Sequence, residues 1–444
     1  MRAANPLDIW TATKLGRTGS SWSRTELTAY QSARLREIVA WAKQHSPFYR
    51  WLLESYDIAT LDRPDGLHHL PFTTAEDLRR NNPPLVCLSQ SEISHVVTLD
   101  TSGTSGIPKR LFFTAEEQEA TTDFFHHGMQ LPARAGERVM ILFPCERPGS
   151  VGDLLAKAVL RLGATPILAG WPQDPAATAA LLRREQPDVV AGVPVPMLAV
   201  ARHTAVDNQP LVRIKRVLLS ADHAAGSIRR GLAGLWGCEI FEHYGMTEMG
   251  LGGGVDCAAH TGYHMRESEL LIEIINPANG IPVAAGELGE VVFTTLTRRG
   301  MPLIRYRTGD LSRLLPGSCG CGSPLARLER LHGRLGGGIT LNGTGDLTIG
   351  MLDECIFDID GIADFNAVYR YGTPPRLDLE ITPINAKSVD ETNLQEAVRT
   401  ALARIPQLAA ASTEHRVRLT VIVSPDRHIP RRAGKRTIVN GTFL

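Results

Sequence analysis

The chain has 444 residues, 47 of them basic and 47 acidic, for a formal net charge of zero. That length exceeds one ordinary core and implies two or three domains, while the charge balance excludes a surface built for nucleic acid or an anionic membrane. Seven cysteines, an odd number, argue against a disulfide framework and for reduced thiols or metal ligands.

The first ten residues, MRAANPLDIW, lack an apolar signal core, and no apolar run is long enough to span a bilayer, so a cytoplasmic location is expected. From Thr25 to about Glu54 apolar residues recur at helical spacing, with Leu35, Ile38, Val39, Trp41 and Ala42 on one side, which predicts an amphipathic helix serving as scaffold. The alternating run His95 to Leu99 and the run Leu111 to Phe113 read as two strands joined by a loop. His126 and His127 fall on a helix shortly afterwards. Between about Ala135 and Val200, apolar runs at Val139–Phe143, Ala164–Leu168 and Val189–Val193 are separated by helical stretches that begin near Val151 and Pro175. Such alternation predicts right-handed crossovers and a parallel sheet, which Val217 to Ser220 continues. After Glu269 the pattern becomes strands, Leu270 to Ile275 and Gly289 to Thr295, with turns at Asn279-Gly280 and Gly286. The tail from about Ile339 mixes strand and helix, and Gly336-Gly337-Gly338 just before it reads as a hinge.

The loop between the first two strands, Thr101-Ser102-Gly103-Thr104-Ser105-Gly106-Ile107-Pro108-Lys109, carries the most chemistry. Two glycines let backbone N–H groups approach a ligand. Four hydroxyls add donors for phosphate oxygens, and Lys109 adds charge. The ligand this composition predicts is ATP. A plain hairpin turn or a flexible linker has a similar composition, and a Walker loop is excluded because no Gly-Lys-Ser/Thr ending leads into a helix.

Further segments, in one order along the chain, complete a pattern: His45-Ser46-Pro47-Phe48-Tyr49-Arg50, Leu70-Pro71-Phe72-Thr73-Thr74, Tyr244-Gly245-Met246-Thr247-Glu248, Gly286-Glu287-Leu288-Gly289-Glu290, Arg305-Tyr306-Arg307-Thr308-Gly309-Asp310, Gly333-Arg334 and Gly434-Lys435. Together with the hydroxyl-rich loop they resemble the acyl-adenylate-forming superfamily, most closely its phenylacetate-CoA ligase branch, over nearly the whole chain. The resemblance implies an α/β fold. Its large N-terminal domain, residues 1–335, would hold mixed and parallel sheets with flanking helices, a smaller β subdomain, and the ATP and acyl sites. A small mobile α+β domain, residues 336–444, would act as a lid.

The resemblance also implies roles that suit each side chain. Thr247 would touch the α-phosphate, and Glu248 would ligate Mg²⁺, a hard cation that takes carboxylate oxygen. Tyr244 would lie against adenine beside Gly245 and Met246, although a buried aromatic next to glycine is also ordinary core. Asp310 would accept both ribose hydroxyls, as an acceptor-only carboxylate can, or else be a turn residue. Arg334 would sit near ribose or phosphate, or form a surface ion pair. Lys435, brought by the lid, would neutralise charge at the α-phosphate. Relatives carry an acid in the adenine loop, where this chain has Ser220-Ala221-Asp222. At the hinge, Leu335 to Gly338 supply none of the carboxylates relatives place there.

Cys257-x-x-His260 and Cys319-x-Cys321 offer three sulfurs and one nitrogen, which fits a closed, structural Zn²⁺ site with His264 as the alternative fourth ligand. Unrelated buried residues or a reactive thiol pair would leave the same trace. The acyl pocket is expected beside Tyr244 and Phe143-Pro144-Cys145, with Gly250 to Gly254 around it, suited to a flat aryl or arylacetic acid. The expected reaction is ATP-dependent acid:CoA ligation through acyl-AMP, with a small carboxylic acid, ATP and CoA as partners and neither nucleic acid nor membrane. Loading of a carrier protein, or nucleotide binding without turnover, are the alternatives, and a homodimer is left open.

Overall fold

Caps and prolines set where the helices begin. The computed structural model describes residues 5–63, 65–99, 107–206, 213–341, 343–385, 389–424 and 435–441. A capping box of Ser23 and Glu26 starts the helix Arg24–His45, whose Leu27, Leu35, Ile38, Val39 and Ala42 are buried. The single helix expected to run to about Glu54 is instead two. Ser46 has extended backbone and its hydroxyl accepts from the Tyr49 N–H, while Pro47, lacking an N–H, opens a second helix, Pro47–Leu52.

Two compact units emerge from the packing. The first gathers residues 1–134, 147–163 and 241–332. In it, His95–Leu99 and Lys109–Phe113 pair antiparallel with Leu99 opposite Lys109, so the hydroxyl-rich loop does join two strands. The expected strands Leu270–Ile275 and Gly289–Thr295 pair antiparallel. Gly289–Thr295 is buried along its length and pairs on its other side with Tyr306–Ser312. Three short antiparallel strands, Gly254–Asp256, Tyr263–Met265 and Arg327–Leu328, complete a second layer beside the end of Glu239–Tyr244.

The second unit gathers residues 135–146, 164–240 and 333–444. Its sheet is the parallel one the alternation predicts. Arg138–Leu142 lies between Thr165–Leu168 and Val189–Gly192, and Arg216–Leu219 follows. The C-terminal α+β portion begins with the hairpin Gly338–Leu341 and Gly345–Thr348. It continues into a sheet in which Arg376–Pro383 is antiparallel to Ile362–Arg370 and parallel to Arg418–Val423. Ile349–Ile356, Glu391–Leu402 and Pro406–Thr413 are its helices among the described residues. The architecture is thus α/β, with mixed sheets in the larger N-terminal part and a small α+β C-terminal part. No helix among the described residues is long and apolar enough to cross a membrane.

Polar anchors fix the C-terminal part within its unit. Arg202, buried on the helix Pro194–Val206, donates to the carbonyls of Ile362 (2.5 Å) and Phe357 (2.6 Å). The Ser227 hydroxyl donates to the Asp353 carbonyl at 3.0 Å, and Glu354 accepts from the Ser227 N–H and from Arg230. Around them Met197, Leu198, Ile228, Phe357, Ile362 and Phe365 share one core. We expect Arg202→Met to destabilise this unit by roughly 3 kcal/mol, because two buried carbonyls lose a charged donor. Faster amide exchange in 357–370 than in the wild type checks it, and unchanged exchange would refute it.

Candidate functional site

The first unit brings three of the sequence segments into contact. Lys109, opening its strand directly after the hydroxyl-rich loop, pairs with Glu248 Oε1 at 2.5 Å, across 139 positions of sequence. Glu248 sits on the short turn Thr247–Met249 and is buried. The Tyr306 hydroxyl donates to the same Oε1 at 3.2 Å. Burial alone would raise the Glu248 carboxyl, but the Lys109 charge and the bonds from Lys109 and Tyr306 outweigh it and hold the group below the usual glutamate range. Glu248 is therefore an anion at neutral pH, held next to a cation that borders the loop. Residues Thr101 to Gly106 of that loop lie outside the described residues.

Arg298, which the motifs do not single out, completes this centre. Its buried guanidinium donates to the Glu248 carbonyl at 2.7 Å and the Phe112 carbonyl at 3.3 Å, and lies over the Phe113 ring at 4.5 Å. It thus ties the turn bearing Glu248 to the strand bearing Lys109. A basic pair after an apolar strand carries no local signal for such a role, since only the fold gives Arg298 its two carbonyls.

Tyr244 and Asp310 meet one another. The Tyr244 hydroxyl donates to Asp310 Oδ2 at 3.0 Å, and the ring stacks on Tyr263 with centroids 5.9 Å apart. Both residues are buried, and Asp310 lies inside the strand Tyr306–Ser312 rather than in a turn. Gly245 has no freedom to carry a side chain, because a Cβ there would lie 2.2 Å from the Leu251 carbonyl oxygen. Gly252 is equally confined, with the Phe124 ring 2.4 Å from such a Cβ. Met246 and Thr247 are half-buried beside them. The His127 imidazole donates from Nδ1 to the Asp123 carbonyl of its own helix at 2.9 Å, and the His126 ring bonds the Gln130 side chain, so both histidines are engaged locally.

The remaining expected residues belong to the second unit. Phe143 is buried just past Arg138–Leu142, with Cys145 half-buried beyond it. Ser220-Ala221-Asp222 follows the strand Arg216–Leu219, and Ala221 holds φ at +74°, a left-handed backbone that an alanine rarely adopts. Asp222 accepts the backbone N–H of Arg436, the residue after Lys435, at 3.2 Å. Lys435 is half-buried, Arg334 is exposed, and Gly336 takes φ of +66° at the expected hinge.

A cysteine and histidine cluster is assembled as the sequence suggests, with one change of ligand. Donor atoms of Cys257, His264, Cys319 and Cys321 all lie within 4.8 Å of one another. Cys257 Sγ and Cys319 Sγ are 3.7 Å apart, and Cys321 Sγ is 3.3 Å from His264 Nε2. A tetrahedron of Zn–S bonds of about 2.3 Å has edges of about 3.8 Å, so the spacing fits the ion, whereas a disulfide needs about 2.05 Å. His260 is not in the cluster. Its N–H closes a turn on the Cys257 carbonyl at 2.8 Å and its ring bonds Asp256 Oδ2 at 2.8 Å, so the carboxylate takes the imidazole away and the next strand supplies His264 instead. The loop of Cys319 and Cys321 also meets the helix Pro6–Lys14 and its cap Asn5. Asn5 Nδ2 donates to Cys321 Sγ at 3.8 Å, and the Ser323 hydroxyl donates to Asp8 Oδ1 at 2.5 Å.

A family model described as AMP-binding enzyme matches residues 61–296, more than half of the chain. The chain belongs to this AMP-binding enzyme family. Among curated relatives, a phenylacetate-coenzyme A ligase of Thermus thermophilus is 29% identical over 325 residues, covering 70% of this chain and 71% of the relative. One of Pseudomonas putida is 27% identical over 358 residues, covering 78% and 79%. Among solved structures, 2-hydroxyisobutyryl-CoA ligase in complex with 2-HIB-AMP superposes with a TM-score of 0.76 at 21% identity, covering 94% of this chain and 90% of that one, a likeness of fold. The family match spans the strand carrying Lys109 and the turn carrying Glu248.

Removing Lys109 tests the pairing. In the wild type the stabilisation from ionised Glu248 is present above the ordinary glutamate pKa and is lost as pH falls through its depressed value. In Lys109→Met the buried carboxyl keeps its burial but loses its cation, so its pKa rises and the sign reverses: the variant gains stability as pH falls. We expect a loss of about 3 kcal/mol at pH 8, relieved when Glu248→Gln is added. Urea unfolding between pH 4 and pH 8 measures both effects, and a parallel pH dependence in wild type and variant would refute them.

Proposed function

We propose that this protein is an ATP-dependent carboxylic acid:CoA ligase working through an acyl-AMP intermediate. The observation that carries the reading is the buried Lys109–Glu248 pair, a cation of the kind that suits phosphate beside a carboxylate of the kind that suits a hard metal ion, next to a loop rich in hydroxyls and glycine. Family membership supports the nucleotide, and the ligases among its relatives support the acid and the thiol.

In this reading Thr101 to Gly106 and Lys109 hold the triphosphate, and Thr247 donates to the α-phosphate. Glu248, an ionised carboxylate, fits Mg²⁺ and would hold it, where the ion supplies neutralisation of phosphate charge. Lys109 turns from Glu248 to phosphate oxygen as the nucleotide enters, which leaves the carboxylate to the cation. Ser220-Ala221-Asp222, Tyr244, Gly245 and Met246 border the adenine, and Asp310 and Arg334 the ribose and phosphates. A carboxylate oxygen of the acid attacks the α-phosphorus and pyrophosphate departs. Lys435, carried by residues 336–444 acting as a lid, stabilises the charge that gathers between acid and phosphate. The CoA thiolate then attacks the acyl carbon and AMP leaves.

The glycines at 250 and 252–254, with the Phe124 ring against Gly252, favour a flat aryl or arylacetic acid. Cys257, His264, Cys319 and Cys321 fit Zn²⁺ as a closed structural site that takes no part in the reaction.

Acid-dependent exchange of labelled pyrophosphate into ATP, run on a panel that includes phenylacetate, ferulate, benzoate and 2-hydroxyisobutyrate, tests the first step. Lys435→Ala should lower it at least 10²-fold while ATP binding survives. No exchange with any acid would refute the ligase reading, and acyl transfer to a carrier protein but not to free CoA would change the acceptor. Metal analysis of purified protein should find about one equivalent of zinc, lost in Cys321→Ser, and less than a tenth of an equivalent would refute the site.

A further inference from the structure

Directly after Lys435 stands a second cation, Arg436, for which the reaction has no use. It is buried, with only 6% of its surface exposed. Its guanidinium donates to Asp353 Oδ1 at 3.0 Å, to Asp364 Oδ1 and to the Phe365 carbonyl at 3.4 Å, and the Phe357 and Phe365 rings lie 5.3 and 4.6 Å from it. Its backbone N–H goes to Asp222, in the loop expected to border adenine. Asp353 and Asp364 are themselves buried, so the cluster is withdrawn from water, and that burial pushes the Asp353 carboxyl up to about 6 against the pull of Arg436. A planar fork bridging two buried carboxylates is a geometric lock that a lysine cannot reproduce.

The flanking chain explains what the lock holds. Arg436 and Ile438 are buried, whereas Lys435 is half-buried and Thr437 and Val439 are exposed. Period-two alternation of this kind is that of an extended segment, and it runs into Val439–Asn440, which pairs parallel with Ile362–Arg370. Lys435 therefore shares a face with Thr437, opposite the anchored face.

We propose that Arg436 is a positioning residue for Lys435: its bridge between Asp353 and Asp364 fixes the backbone from which the lysine projects, and Asp222 ties the same segment to the loop after Arg216–Leu219. The inference rests on the reading of Lys435 as the adenylation lysine. A long, flexible side chain is effective only if its backbone is placed, and a displacement of about 1 Å costs on the order of 10²-fold in rate. Because the lysine acts on charge that develops in the transition state, loss of the lock lowers kcat and leaves KM alone.

The test uses full-length protein and the panel acid with the fastest wild-type exchange, with kcat expressed per ATP-binding site counted by equilibrium dialysis. Arg436→Met should lower kcat for exchange roughly tenfold to a hundredfold, with KM for ATP and acid within about twofold of wild type, and Arg436→Lys should fall between. Amide exchange in residues 435–441, which needs no substrate, should be faster in Arg436→Lys and unchanged in Lys435→Ala. Should Arg436→Met fail to fold, Arg436→Lys decides by the same two readouts. Wild-type kcat in the folded Arg436 variants, or wild-type exchange at 435–441, overturns the inference while Lys435→Ala remains inactive. An active Lys435→Ala overturns the lysine's role and this inference together.

Discussion

A carboxylate withdrawn from water stays charged only beside a cation, and Glu248 obtains its cation from Lys109, 139 residues away. That requirement organises the first unit. For the two to meet, the hairpin of His95–Leu99 and Lys109–Phe113 must lie against the turn Thr247–Met249, and Arg298 closes the arrangement by bonding a carbonyl from each. Tyr306, from the antiparallel sheet, adds a third element at the same oxygen. The charge pair is thus both a packing constraint and the chemical core of the candidate site, and in the proposed function a nucleotide that recruits Lys109 would draw on an interaction already in place.

The second unit uses buried guanidinium groups in a comparable way. Arg202 satisfies the carbonyls of Phe357 and Ile362, and Arg436 joins a carboxylate of the helix Ile349–Ile356 to one of the strand Ile362–Arg370. A buried arginine is favourable only when most of its donors find acceptors, so each acts as a register pin for the chain around it. In the proposed mechanism one of these pins stands next to the lysine that must reach the reacting phosphate.

The cysteine and histidine cluster shows how local and tertiary demands compete. Cys257 and His260 have the spacing of a metal pair, yet the turn between them sends the imidazole to Asp256, and His264 from the following strand fills the fourth position. The loop of Cys319 and Cys321 contacts Asn5 and lies beside the Ser323–Asp8 bond. Trp10 and Lys14 of the helix Pro6–Lys14 both reach Asp123 on the helix Ala115–Met129. The N-terminal helix is therefore held at both ends by polar contacts.

The sequence by itself determined what depends on near neighbours. Alternation announced the parallel sheet and the strands Leu270–Ile275 and Gly289–Thr295 at their observed positions, and the motif order announced the family, because side-chain chemistry and hydrophobic period are local properties. The helix break at Ser46-Pro47 was equally local, a cap and a proline that divide the helix although apolar spacing continues beyond them. The tertiary structure alone decided which distant groups share a charge. The bond from Tyr244 to Asp310, the service of Arg298 to Glu248, the choice of His264 over His260 and the lock on Arg436 all join residues that no spacing rule connects. Each arises because a buried polar group must take whichever partner the packing brings within reach, and packing is a property of the whole chain.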